Sequence, residues 1–162
     1  MPCKTVHATL AALALAAGLA APCRAQGSIA VTGLDGATVN VAIGGLTRHL
    51  VNARQGGEDV SFEGVLVGDI LAKAGVPMGE KLHGSEALSR VVLARGRDGY
   101  TVAFGLAELD GGVSDAAVLV ADRRNGRKLD EKAGPLQLVA PFERRAVRWV
   151  RQVERLDVRE VK

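Results

Sequence analysis

Few residues in this chain have side chains and spacings suited to chemistry. Both cysteines, Cys3 and Cys23, fall within the first 25 of the 162 residues. From Gln26 onward there is accordingly no thiolate nucleophile, no cysteine metal ligand and no disulfide. His49 and His83 are the only histidines in that longer part. They lie in different segments without ligand-spaced Cys, Asp or Glu neighbours, which argues against a metal site and reads as surface histidines. Asp110-Gly111-Gly112-Val113-Ser114-Asp115 lacks the alternating acids and terminal Glu of a calcium loop and reads as a turn. Ser85, Ser89 and Ser114 have no nucleophile-elbow context, and two histidines give little basis for a Ser-His-Asp triad. No residue is therefore assigned a catalytic or metal-ligating role.

Charge offers more. Arg144, Arg145, Arg148, Arg151 and Arg155 form a basic run, but Glu143, Glu154, Asp157 and Glu160 interrupt it and Trp149 is the one aromatic nearby. That mixture describes a solvated strand or helix face and argues against a nucleic-acid partner. Asp122-Arg123-Arg124, just before Asn125-Gly126, has two readings: an exposed turn, or the rim of an anion-binding site.

The N-terminal segment sets the cellular context. Met1 to His7 carries one Lys and one His, Thr9 to Pro22 is almost uninterrupted Ala and Leu, and Cys23-Arg24-Ala25 follows. This pattern, with small residues where a signal peptidase inspects the chain, predicts a secretory signal over Met1–Ala25 and a periplasmic or secreted product. Its apolar run is too short for a membrane span, so no membrane attachment is expected after cleavage. Removing 25 residues from 162 leaves 137, spanning 26–162, enough for one domain with its own core. Lys4 and Arg24 leave with the signal, so basic residues fall from 21 to 19 against 18 acids, a net charge near +1.

The elements that would position any site are short and punctuated by glycine. Ser28–Thr32 and Thr38–Ile43 flank Leu34-Asp35-Gly36, a hairpin signal, and His49–Ala53 and Val60–Glu63 flank Gln55-Gly56-Gly57. Val67, Ile70, Leu71 and Ala74 have helical spacing that stops at Gly75, with Pro77 beyond. Arg90–Ala94 and Tyr100–Phe104 are joined by Gly96-Arg97-Asp98-Gly99, Leu106–Leu109 suits one helical turn, and Val118–Ala121 and Leu136–Ala140 are short apolar strands. The last segment is ambiguous: Ala146, Trp149, Val150, Val153 and Leu156 have helical spacing, whereas Leu156 and Val158 alternate with Asp157 and Arg159 as in a strand. The expected class is a β-rich α+β domain.

Three groups of residues occur here in a telling order. They are Phe62-Glu63-Gly64-Val65-Leu66-Val67-Gly68-Asp69-Ile70-Leu71-Ala72-Lys73-Ala74-Gly75 with Asp98-Gly99-Tyr100, then Asn125-Gly126-Arg127-Lys128-Leu129, then Gly134 to Pro141 and Val147-Arg148-Trp149-Val150. In that order and spacing, with a slightly shortened Pro141–Trp149 loop, they resemble the molybdopterin-binding oxidoreductase domain of the sulfite oxidase type. The resemblance covers nearly all of residues 26–162 and implies that family's fold, with Trp149 near a helical turn and a strand after it.

The departures from the family's pattern weigh more for function than the matches, since a fold does not carry its chemistry with it. Catalytic members of the family hold molybdenum through a cysteine in an Arg-Cys-x-Gly-Asn type stretch, which falls here near Val51-Asn52-Ala53-Arg54. Neither an Asn amide nor an Ala methyl replaces a soft thiolate. The family's phosphate-gripping His and Arg correspond to Ala133 and Gln137, so two cations for a dianion are missing. Arg148 stands where the family has Lys before its Trp, and Arg145 where another basic residue is common, which leaves these two as anion contacts. The signal points the same way: Pro2-Cys3-Lys4 is not a twin-arginine signal, and a Sec-type route threads the chain unfolded and without a preloaded cofactor. The favoured expectation is a non-catalytic module with no cofactor, whose partner is a small anion or a periplasmic protein. The alternative is a molybdopterin-binding oxidoreductase, or a component of one, with an altered cofactor site.

Overall fold

The computed structural model describes residues 27–161; the expected signal segment lies outside them. Among these described residues, ten strands form two five-stranded sheets, accompanied by two short α-helices. The first sheet has the order β2 (Thr38–Ala42), β1 (Ser28–Thr32), β10 (Val153–Glu160), β5 (Arg90–Gly96), β6 (Thr101–Gly105). The second runs β3 (His49–Gln55), β4 (Glu58–Leu66), β7 (Leu119–Arg124), β8 (Arg127–Lys128), with β9 (Gln137–Val139) also paired to β7. Helix α1 (Val67–Lys73) follows β4 directly, and α2 (Ser85–Leu88) precedes β5. The β-rich α+β expectation is met.

The hairpins arise where the glycines permit them. β1 and β2 pair antiparallel from Ser28 with Ala42 to Thr32 with Thr38, and β3 and β4 pair around Gly56 and Gly57, both at positive φ. The ambiguous C-terminal segment divides in two. Ala146–Arg148 is a 3₁₀ turn that stops at Trp149, whose backbone is already extended (φ −81°, ψ 127°), and the strand β10 begins at Val153 after Gln152, which has a φ of 47°. β10 then inserts between β1 and β5, parallel to the first and antiparallel to the second. The long-range parallel pairing is the part of the topology that local patterns do not announce.

One continuous apolar core lies between the sheets, containing Ile29, Val92, Phe104 and Leu156 from the first and Phe62, Val65, Leu119 and Leu138 from the second. Trp149 is 6% exposed, meets Phe62 edge to face with ring centroids 5.3 Å apart, and donates its indole N–H to the Ala140 carbonyl at 3.0 Å. Gly64 explains part of the glycine spacing after Phe62. It lies where β4 shifts register against β7, and a Cβ there would come 2.1 Å from the Val120 carbonyl oxygen. Only the hydrogen-sized side chain lets the two strands approach so closely.

Candidate functional site

The residues singled out in the sequence divide between two regions of the molecule. Arg148 ends the 3₁₀ turn before Trp149. Its Nη2 donates to Glu108 Oε1 at 3.0 Å, its Nη1 to the Ala103 carbonyl at 3.3 Å, and its Nε to Glu143 Oε1. The guanidinium carbon also sits 4.3 Å from the centre of the Phe104 ring, a cation–π arrangement. Desolvation by itself would make the guanidinium easier to deprotonate, but the hydrogen bonds it donates to Glu108 and Glu143, with the attraction of their charges, together outweigh it and raise its pKa above the ordinary arginine value. Two carboxylates already neutralise Arg148, so an incoming anion there would have to displace one of them. Arg145 is exposed on the loop before the turn. Glu108, forty positions from Arg148, was not singled out in the sequence; its place in the Leu106–Leu109 turn gave no hint of a partner so far along the chain.

Of the positions that the resemblance matches to the family's metal and phosphate grips, Asn52 and Gln137 lie on the second sheet and Ala133 in the loop before β9. Asn52 is exposed on β3 and directly opposite Ser61 of β4. Ser61 in turn donates its N–H and its hydroxyl to Asn125 Oδ1, at 2.9 and 3.4 Å, and accepts the Asn125 N–H at 2.8 Å. Three polar residues thus bridge from β3 to the turn between β7 and β8, a span of roughly 10 Å given the spacing of strands. Ala133 lies in a loop pinned on both sides: its N–H donates to Asp130 Oδ1 at 2.8 Å and its carbonyl accepts the Gln152 N–H at 2.9 Å. Gln137 is buried in β9 opposite Ala121. A methyl and an enclosed amide stand where the resemblance would place two cations.

The histidines do not converge. His49 Nε2 is 3.7 Å from Asp69 Oδ2, and His83 Nδ1 is 3.0 Å from the Glu80 carbonyl. Among the described residues, no group of three or more His, Cys, Asp or Glu is placed to hold a metal ion, and no helix is long and apolar enough to cross a membrane.

Comparison with known proteins places this architecture. The model of the family described as "oxidoreductase molybdopterin binding domain" matches residues 38–162. The chain belongs to that family. No curated protein sequence matches it. Among solved structures it is similar to the sulfane dehydrogenase SoxCD from Paracoccus pantotrophus, with a TM-score of 0.64 at 19% identity over 83% of this chain. The match spans 39% of the SoxCD chain, and at that identity the likeness is one of fold. The sulfite oxidase-type fold expected from the motifs is therefore this protein's fold, with Phe62 to Gly75 in β4 and α1 and Gly134 to Pro141 around β9.

The donor set does not fit the family's metal centre. From residue 27 to 161 there is no cysteine, the matching position offers an exposed Asn52 amide, and the two phosphate-grip positions offer no charge. A molybdenum centre held through a protein thiolate has no ligand in this part of the chain.

Proposed function

We propose that this protein is a non-catalytic, exported binding module that keeps the molybdopterin-oxidoreductase scaffold without its metal chemistry. The observation that carries the reading is the fate of the matching residues. No cysteine lies between residues 27 and 161, the resemblance puts the thiolate near Val51-Asn52-Ala53-Arg54 and the phosphate grips at Ala133 and Gln137, and Arg148 is committed to Glu108 and Glu143. An anion contact at Arg145 and Arg148 would be weak and salt-sensitive, because Arg145 is exposed and Arg148 is already paired. The product would be residues 26–162, periplasmic or secreted, acting on a small anion or a periplasmic protein, with no nucleic-acid partner. Family membership supports a second reading, in which an altered site still takes up a molybdopterin in an oxidoreductase or a component of one.

Metal and pterin analysis of protein purified from its native envelope separates the two. The module reading expects negligible molybdenum, no fluorescent pterin after oxidation, and no sulfite- or sulfoxide-linked electron transfer. Stoichiometric molybdenum in protein isolated without reconstitution overturns it. Intact mass tests the export reading: a mature N-terminus at Gln26 is expected, and a mass corresponding to residues 1–162 would remove that part of the proposal.

A further inference from the structure

Strand β10 alternates cleanly once past its register shift near Val153. Leu156 and Val158 turn into the core, so Arg155, Asp157 and Arg159 share the opposite face of the first sheet. The ladder extends that face to both sides. Arg95 of β5 lies directly across from Arg155 and Leu93 from Asp157, while β1 sets Ala30 beside Arg155 and Thr32 beside Asp157. Farther out, Asn40 of β2 and Thr101 and Ala103 of β6 are exposed. No aromatic residue stands at these positions.

The charges on this face are unpaired. Arg95, Arg155 and Arg159 are exposed, and among the described residues none of them forms an ion pair. Arg95 and Arg155 meet as like charges across the ladder. Asp157, between the two arginines of β10, is only 3% exposed, and its Oδ1 has no hydrogen-bond partner. No ion pair of the described residues includes it. The hydroxyl of its β1 neighbour Thr32 is paired with that of Thr38 at 3.1 Å. A buried carboxylate without a partner costs stability, and this one is left to be satisfied from outside the sheet.

The pattern of charge selects the occupant. A bare polyanion suits the three arginines and is repelled by Asp157. A second copy of this chain would set three more arginines against these with one carboxylate each, an excess of positive charge. The complementary surface carries both signs, with carboxylates for the arginines and a cationic donor between them. Arg155 and Arg159 are four residues apart, roughly 13 Å along the strand with Asp157 midway, a spread that suits a protein surface and not a small molecule.

We propose that this face of the first sheet docks an acidic protein surface that carries a lysine or arginine among its carboxylates. Arg95, Arg155 and Arg159 take the acids and Asp157 takes the cation. The docking face rests on the binding-module reading and names the class of protein partner for it. The arginines supply attraction, and Asp157 supplies specificity by penalising any anion that brings no donor.

Two synthetic polymers of matched length separate these roles by fluorescence anisotropy at low salt: poly-L-glutamate, and a glutamate-rich copolymer with lysine. Charge alone favours poly-L-glutamate. The wild type should instead bind the copolymer about tenfold more tightly, the worth of one hydrogen bond to a charged group, and Asp157→Asn should reverse that preference. Arg159→Glu should weaken copolymer binding about tenfold, whereas Arg127→Glu, the same charge change in the β7–β8 hairpin of the other sheet, should weaken it less than about twofold. Melting of the unbound proteins checks the premise. Asp157→Asn should melt no lower than the wild type, because a neutral amide replaces an unpaired buried carboxylate. A lower melting temperature would mean that the chain already satisfies Asp157, and overturns the site.

A wild type that prefers poly-L-glutamate, or binds neither polymer, overturns the proposal. Single-stranded DNA that binds as tightly as the copolymer does so too, because the face would then accept any polyanion. A dimer in sedimentation that Arg159→Glu dissociates also overturns it, since a second copy would be the occupant. The two readings fail separately. Molybdenum in the native protein would sink the non-catalytic reading and leave the docking face standing, whereas a missing preference for the copolymer would sink the face alone.

Discussion

Arg148 and Arg127 carry the same guanidinium in opposite surroundings. Arg148 lies between Glu108, Glu143 and the Phe104 face, with its side chain 32% exposed and that of Glu143 13% exposed. Arg127 is exposed and faces Arg124. The first charge is balanced by the fold and helps hold the Pro141–Trp149 loop against β6. Among the described residues no carboxylate forms an ion pair with the second. A basic residue at a position matching a family's site is thus a weak guide to binding until its counter-charges are located.

The sharpest test of the balanced region is its anchor. Trp149→Ala should cost about 3–5 kcal/mol, because it removes the edge-to-face contact with Phe62, leaves a cavity and strands the Ala140 carbonyl. Urea titration measures it. A loss under about 1 kcal/mol would mean that the loop is not packed as described and that the contrast with the hairpin is unfounded.

Arg148→Ala comes next, with an expected loss of about 1–2 kcal/mol, since it leaves two carboxylates without their cation, Glu143 being mostly buried. Arg148→Lys should recover only part of this, because an ammonium cannot reproduce the fork to Glu108 and Glu143. The folded chain holds the Arg148 proton more tightly than the unfolded chain does. The contribution of this proton is therefore complete at neutral pH and is lost only as pH rises through the raised value. Denaturant midpoints that are equal for wild type and Arg148→Ala would show that the pairs are solvent-weakened and would return Arg148 to the list of available anion contacts.

Much of the fold was legible because its signals are local. Asp35-Gly36, Gly56-Gly57 and Asn125-Gly126 each end a strand where a backbone turn needs positive φ, and the spacing of Val67, Ile70 and Leu71 marks α1. The C-terminal segment was legible only as an alternative. The alternation is realised as β10, whereas of the helically spaced residues only Ala146 lies in the 3₁₀ turn and the backbone is already extended at Trp149. The site was legible as a set of losses, since a missing cysteine is visible in any sequence. What replaced those losses was not. The pairing of Arg148 with Glu108 and the facing of Arg124 by Phe62 depend on how distant segments meet, and no local pattern records a partner forty or sixty positions away.

At the hairpin the expected effects are smaller and reversed in sign. Arg127→Glu should stabilise the ligand-free chain by about 0.2–1 kcal/mol, the size of a cross-strand charge pair. Thermal or urea unfolding at low salt reads it. A destabilisation would show that Arg124 and Arg127 do not oppose each other in solution.

The smallest effect is the response to salt, and it compares the two regions within one measurement. Raising sodium chloride from about 0.1 to 1 M shortens the screening length from about 10 to about 3 Å. Repulsion between half-buried Arg124 and exposed Arg127 should therefore fade, while the pairs of Arg148 with Glu108 and the mostly buried Glu143 weaken less. The advantage of Arg127→Glu over the wild type should shrink towards zero across that range, and the deficit of Arg148→Ala should change little. Both differences are taken against the same wild-type curve, so general effects of salt on the core cancel. If the two differences shrink in parallel, the Arg148 pairs are as solvated as the hairpin, and the division of this molecule into a balanced and an unbalanced region is wrong. If the Arg127→Glu advantage persists at 1 M, its origin is strand propensity and not charge.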